Sequence, residues 1–334
     1  MNLLKNSMAC RKLCLVCNAE FTDELAVCPS DGSPLAVTMN PAVSADVVPG
    51  YQLLRQIGQG ASGIVYQAIH IATGRWAAIK ILRFSLLNNL EMVQRFKKEA
   101  ALTSQLSSPH IVTVKEFGLV HDGRPYMVMD YINGCCLSTI IQQAPVPPKR
   151  ALSIFMQVST GLAAAHEKGI IHRDIKSSNI MVLNEPGAID MTKIVDFGIA
   201  KEYNENGNNS PGGLTLNGNA VGSPSHMSPE QCAGSKLDPR TDIYSLGCVM
   251  YETLTGRQVF QGQTAQAVMI KHINEAPAPM LLPKSAVSDE LEYIVFKAMS
   301  KSPQDRYGNV HTLKSDLQFC LNFSASRNST HGLR

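Results

Sequence analysis

The chain has no continuous apolar run long enough to cross a bilayer. Its N-terminus also lacks a secretory apolar core, because Leu3-Leu4 and Leu13 to Val16 are interrupted by charges and cysteines. A cytoplasmic location is therefore expected. A strong charge bias is missing too: 30 Lys and Arg against 27 Asp and Glu give +3, too little to mark nucleic acid or an anionic membrane as the main partner. Internal repeats are absent. What remains is 334 residues at 44% hydrophobic content, enough for one large or two moderate cores.

Cysteine is not scarce. Nine are present, and their distribution matters more than their number. Cys135, Cys136, Cys232, Cys248 and Cys320 are scattered and read as small buried hydrophobes. Cys10, Cys14, Cys17 and Cys28 crowd the first thirty residues. Cys14-Leu-Val-Cys17 is a tight knuckle able to present two thiolates to Zn²⁺, and Cys28-Pro-Ser-Asp31-Gly32 repeats its shape with Asp in the last place. The segment resembles a small zinc ribbon whose fourth cysteine is replaced, with Asp31 or its rival Cys10 completing the ligand set. So short a stretch has little core, which favours a metal staple. Residues 1–40 carry Lys5, Arg11 and Lys12 against Glu20, Asp23, Glu24 and Asp31, a net of −1 that argues against nucleic acid and for a protein-docking module.

Pro41 to Gly50, with proline near both ends, reads as a stiffened linker. Tyr51 to Ile57, Ile64 to His70 and Trp76 to Leu82 are rich in β-branched and apolar residues and predict strands, as do Ile111 to Phe117 and Tyr126 to Tyr131. Asn89 to Leu106 predicts a helix. After Gly134 helical patterns take over: Lys149 to Lys168 is amphipathic, with Ala151, Leu152, Phe155, Val158, Leu162 and Ala165 on one side, and Asp242 to Thr255 is apolar all round. Residues 204–219 have almost nothing to bury.

The chemistry lies in short segments. Gly58-Gln59-Gly60-Ala61-Ser62-Gly63-Ile64-Val65 is a glycine turn between strands that lets backbone N–H groups approach phosphate oxygens. It lacks the Gly-Lys-Ser/Thr of a P-loop. Lys80 ends the apolar strand Trp76 to Ile79, where a lysine is costly unless an anion meets it. Asp174, within His172-Arg173-Asp174-Ile175-Lys176-Ser177-Ser178-Asn179, can accept a hydroxyl proton, while Asn179 and Asp196 (of Asp196-Phe197-Gly198) offer the hard oxygens Mg²⁺ prefers.

These parts, in this order, resemble the eukaryotic-like Ser/Thr protein kinases, particularly the bacterial branch, across roughly residues 51–320. The resemblance implies an α+β bilobal kinase fold: a β-rich N-lobe over 51–129, a hinge at 130–134, a helical C-lobe over 135–320 and a tail at 321–334, with ATP held in the cleft. It also implies roles. Ile57 to Ser62, Gly63 and Val65 would cover ATP. Lys80, with Glu99 nineteen residues on, would hold the α/β-phosphates. Ala78 and Met181 would sandwich adenine, Met129 would be the gatekeeper, and the backbones of Asp130 and Ile132 would bond the adenine edge. Asp174 would be the base, with Lys176 placing a cation near the γ-phosphate. Lys176 and Gly222-Ser223-Pro224 point to Ser/Thr acceptors. Arg173 would pair with a phosphate on the activation loop, with Thr215 and Ser210 as candidate acceptors. Glu230 would pair with Arg306, and Asp242 would bond the catalytic-loop backbone. Ile175, Ser228 and His226 stand where Leu, Ala and Tyr are usual. The expected activity is phosphoryl transfer from Mg-ATP to protein Ser/Thr. A nucleotide-binding pseudokinase scaffold is the alternative, although none of Lys80, Asp174, Asn179 or Asp196 is lost.

Overall fold

The computed structural model describes residues 11–14, 20–22, 25, 27–30, 32–33, 35–38, 48–60, 62–183, 190–197, 224–282 and 286–328. The chain divides into two compact units, one made of Met1–Ala100 with Thr113–Tyr131, the other of Ala101–Val112 with Ile132–Arg334.

In the first unit, β1 (Arg11–Cys14), β2 (Glu20–Thr22) and β3 (Leu35–Thr38) form a small antiparallel sheet with β1 in the middle. The larger sheet has five antiparallel strands: β4 (Tyr51–Gln59), β5 (Gly63–His70), β6 (Trp76–Leu82), β7 (Val114–Leu119) and β8 (Pro125–Asp130), in the order β4-β5-β6-β8-β7. Strand β6, Trp-Ala-Ala-Ile-Lys-Ile-Leu, is buried at nearly every position, as a central strand covered on both faces must be. Ile79, Ala68, Val128, Tyr126 and Tyr51 pack with Val48, so the core begins within the stretch read as a linker. The helix α1 (Leu90–Thr103) follows β6, its start capped by the Asn89 side chain, which accepts from the Met92 N–H at 3.1 Å.

The second unit is mostly helical. A three-stranded sheet of β9 (Gly134–Cys136), β10 (Ile180–Leu183) and β11 (Thr192–Ile194) accompanies α2 (Leu137–Gln143), α3 (Pro148–His166), α4 (Pro229–Cys232), α5 (Arg240–Thr255), α6 (Ala265–Asn274), α7 (Ala286–Ala298) and α8 (Val310–Asn328). Its core gathers Leu152, Phe155, Val158 and Leu162 of α3, Ile243, Leu246, Val249 and Tyr251 of α5, Leu291, Ile294 and Val295 of α7, and Leu313 and Leu317 of α8. The apolar stripe expected on α3 is the face it buries, and α5 is buried along almost its whole length.

Two expectations shift. The first strand runs on to Gln59, because the start of the glycine turn is itself paired, Gly58 opposite Val65 and Gln59 opposite Ile64. The strand read as Ile111 to Phe117 is split. Ile111 and Val112 are buried in the second unit, where the Val112 N–H donates to the Ile194 carbonyl at 2.9 Å, and β7 begins only at Val114. Among the described residues no helix is long and apolar enough to cross a membrane.

Candidate active site

Strand β6 carries Lys80 into the interior of the first unit, and α1 presents Glu99 to it. The ammonium donates to Glu99 Oε1 at 2.7 Å, with Lys80 5% and Glu99 4% exposed. Each charge offsets the desolvation of the other, so the pair holds only while both are present. The Phe96 ring lies 6.0 Å from the same ammonium. Val65 stands opposite Lys80 across β5–β6, and Ala78 opposite Met129 across β6–β8. The turn between β4 and β5 is closed by the Gly60 N–H donating to the Gly63 carbonyl at 2.9 Å. Gly63 is required for packing: a Cβ there would stand 2.7 Å from the Ile81 carbonyl oxygen. Ile57, Gln59 and Gly60 are exposed along this turn, Gly58 and Ser62 half-buried, and Ala61 lies outside the described residues. Asp130 ends β8 with its backbone N–H donating to the Thr113 carbonyl at 3.1 Å and its carboxylate 2.6 Å from Lys115 Nζ.

In the second unit, the loop from His172 to Asn179 is clamped by a carboxylate from α5. Asp242, fully buried, accepts the backbone N–H groups of His172 at 2.8 Å and Arg173 at 2.9 Å, and His166 Nε2 at 2.7 Å. Burial alone would raise its carboxyl; the bond and charge of His166 instead hold it below the usual carboxylate range. Arg173 adopts φ +65° and Asp196 φ +54°, left-handed conformations that cost a non-glycine residue free energy and persist where the surroundings over-determine them. The Asp242 clamp supplies that constraint for Arg173. So does Gln231, whose side-chain amide donates to the Arg173 carbonyl at 2.9 Å.

On this loop the Asp174 carboxylate accepts from Lys176 Nζ at 2.9 Å. Asn179 Nδ2 donates to the Asp174 carbonyl at 3.0 Å and lies 3.5 Å from the Asp196 carbonyl, which leaves the amide oxygen as its acceptor end. The Asn179 carbonyl accepts from the Val195 N–H at 2.9 Å, so the segment bearing Asp196 is bonded to the segment bearing Asp174. His172 packs on Phe197, ring centroids 4.5 Å apart, and its burial lowers the imidazole pKa, which favours the neutral form. Met181 sits half-buried on β10 opposite Cys136 of β9, and Ile132 opens the second unit. Further along, Arg306 grips Glu230 with both terminal nitrogens at 2.7 Å each.

Residues 51–317 match the family model described as the protein kinase domain. The chain belongs to the protein kinase family. Among its relatives are serine/threonine-protein kinase pkn3 of Myxococcus xanthus, 36% identical over 80% of this chain and 49% of that protein, and serine/threonine-protein kinase PknB of Mycobacterium tuberculosis, 35% identical over 80% of this chain and 42% of that protein. The chain spans less than half the length of these relatives. The crystal structure of the Mycobacterium tuberculosis PknI kinase domain matches in fold, with a TM-score of 0.61 at 24% identity, covering 83% of this chain and 99% of that one.

Three contacts had no signal in local sequence: His166 on Asp242, Gln231 on the Arg173 carbonyl, and His226 on Glu252. Each joins groups distant in sequence that pattern alone cannot pair. Other expectations fall outside what is described: Thr215, Ser210 and Gly222-Ser223, and in the N-terminal module Cys10, Cys17 and Asp31, with only the backbone described at Cys14. Cys28 is buried in a turn closed by its own N–H to the Ser33 carbonyl at 2.7 Å and by the Gly32 N–H to its carbonyl at 2.9 Å. Among the described residues no group of three His, Cys, Asp or Glu side chains could hold a metal ion.

Proposed function

We propose that this chain is an active protein Ser/Thr kinase that moves the γ-phosphoryl group of ATP to hydroxyls on protein substrates. The observation that carries the reading is the Asp174 carboxylate, bonded by Lys176 on a loop whose backbone is clamped by Asp242. Phosphoryl transfer asks for positioning and charge neutralisation more than covalent work. Asp174 orients the acceptor hydroxyl and takes its proton. Lys176 offers its charge to the moving phosphoryl oxygens. Lys80, pre-set by Glu99, meets the α/β-phosphates; the 57–65 turn, Ala78, Met129 and Asp130 are the nucleotide-contacting residues of the first unit, and Ile132 and Met181 those of the second.

The donor set of Asn179 and Asp196 fits Mg²⁺: an amide oxygen and a carboxylate are the hard ligands it takes, and the Asn179 nitrogen is already committed to the Asp174 carbonyl. Bound there, Mg²⁺ supplies neutralisation of phosphate charge. Phosphorylation of Thr215 or Ser210 by the kinase itself would place a phosphate for Arg173 to pair with. The N-terminal cysteines form, in this reading, a zinc-ribbon docking module with Cys14, Cys17, Cys28 and Asp31 as ligands, to which the tight Cys28 turn lends support.

The full chain incubated with Mg-ATP and a generic basic protein, beside Asp174→Asn, tests the proposal. Loss of the base predicts a fall of about 10²–10⁴-fold in transfer. Nucleotide binding without transfer by the wild type would favour the scaffold reading.

A further inference from the structure

Two side chains of the first unit that have no part in the proposed nucleotide contacts meet the end of β8. Trp76 opens β6 and pairs with Ile69 of β5. It is half-buried, and among the described residues it is not part of the core that Ala77, Ile79 and Ile81 of the same strand build with Val128. Its ring lies instead against Tyr131, the last residue of the first unit, with centroids 5.9 Å apart and planes tilted by 39°. That separation is within the range of attractive aromatic pairs.

The second tie comes from β7, the neighbour of β8 on its other side. The register between the two strands slips between Val114, opposite Met129, and Glu116, opposite Val128, which leaves Lys115 as the extra residue of a bulge. The bulge turns Lys115 to the end of β8, where its ammonium lies 2.6 Å from Asp130 Oδ1. The Asp130 N–H donates to the Thr113 carbonyl at 3.1 Å, and there β8 ends. Tyr131 lies beyond the strand, with its ring on Trp76. Both side chains at this exit, Asp130 and Tyr131, are thus tied back to the sheet they leave.

We infer that Trp76 is a positioning residue for the nucleotide: by fixing Tyr131 it presets the Asp130 backbone that meets the adenine edge, with Lys115 in support. The inference rests on the proposed nucleotide site. A backbone that is already ordered loses less freedom when a ligand meets it, so the tie favours binding. The aromatic contact outweighs the ion pair. The Lys115 and Asp130 side chains are 45% and 33% exposed, and a pair so open to water contributes little. Neither Trp76 nor Lys115 lies in the unit that carries Asp174 and Lys176, so the effect falls on affinity and leaves the chemical step alone.

The test uses the full chain with Trp76→Leu, Trp76→Phe, Tyr131→Leu, Lys115→Met and the double variant Trp76→Leu/Tyr131→Leu. Calorimetric titration with Mg-ADP gives the affinity, beside kcat, the KM for ATP and the melting temperature. Trp76→Leu weakens Mg-ADP binding and raises the KM for ATP by about three- to ten-fold, the size of one aromatic pair, with kcat within about two-fold of the wild type. Tyr131→Leu repeats that loss and serves in its place where Trp76→Leu fails to fold. Trp76→Phe keeps a ring and stays within about two-fold of wild-type affinity. Lys115→Met weakens binding less than Trp76→Leu does. The double variant binds no more weakly than the worse single one, because both changes remove the same contact. Unchanged Mg-ADP affinity in folded Trp76→Leu or Tyr131→Leu, additive losses in the double variant, or a fall in kcat at unchanged KM would overturn the inference alone. A wild type that binds no Mg-ADP would overturn the proposed nucleotide site, and this inference with it.

Discussion

Arg306→Lys keeps the charge opposite Glu230 and removes the geometry, which makes it the sharpest test of how the second unit is held. Every donor of the Arg306 guanidinium is in use. Nε donates to the Ser300 carbonyl at 2.8 Å, Nη1 to Glu230 Oε1 at 2.7 Å and the Arg240 carbonyl at 3.0 Å, and Nη2 to Glu230 Oε2 at 2.7 Å and the Lys301 carbonyl at 2.9 Å. The side chain is fully buried, and its plane faces the Tyr244 ring at 4.9 Å. Lysine brings three donors from a single point, so at least two of these acceptors lose their partner, and the two-pronged grip on Glu230 cannot form.

Each buried acceptor left unmatched costs about 1–3 kcal/mol, and breaking a buried ion pair about 3–5 kcal/mol, so the variant loses ~3–5 kcal/mol of stability. Urea unfolding followed by circular dichroism at 222 nm reads the helices of this unit. Fluorescence of the lone tryptophan, Trp76 on β6, reads the first unit. The dichroism midpoint drops, and Glu230→Leu/Arg306→Met recovers part of the loss because no charge is then buried alone. A loss below about 1 kcal/mol for Arg306→Lys would refute the reasoning, since it would mean those acceptors are not dependent on the guanidinium.

Acid is expected to weaken the same unit. Glu230 and Asp242 are both held below their ordinary values, Glu230 by the Arg306 bonds acting against its burial. Such groups contribute stability that is present above the unfolded-state values, 4.5 and 3.8, and lost as pH falls through the lower folded-state ones. Melting temperatures measured from pH 6 down to 3 should drop below about pH 4.5, and less steeply in Asp242→Asn. Lys80→Met leaves the Glu99 carboxylate buried without its cation; phosphoryl transfer should fall by at least about a hundred-fold in a radiolabel assay, and pairing it with Glu99→Leu should restore stability but not activity. Gly134→Ala would place a Cβ 2.2 Å from the Val182 carbonyl oxygen, so β9 must move off β10. Because the obstacle is backbone, the cost should exceed that at Gly247, where the first atom met, at 2.7 Å, is Met299 Cγ on a flexible side chain; paired melting curves compare the two.

Much of this kinase was legible in its sequence. Strands β4, β5, β6 and β8 follow from apolar and β-branched runs, and α3 and α5 from their apolar faces, because those signals are local and repeat with the period of the element. Lys80, Asp174, Asn179 and Asp196 stand out as candidates because their order and spacing resemble those of a known family. The sequence reading left α2, α6, α7 and α8 unassigned.

The family resemblance anticipated Lys80 with Glu99, Glu230 with Arg306 and Asp242 with the catalytic-loop backbone; tertiary structure alone decided the other distant meetings. Nothing local tells Asp242 that His166, 76 residues earlier, will share its carboxylate with the catalytic-loop backbone, or that His226 will reach Glu252. Nor does the apolar run at Ile111 announce that Ile111 and Val112 belong to the second unit while β7 starts at Val114. Amphipathic period and turn chemistry specify an element from its own residues. The partner of a buried carboxylate is specified by chain path and packing, because only there does losing water force each polar group to find whichever donor the fold has brought within reach.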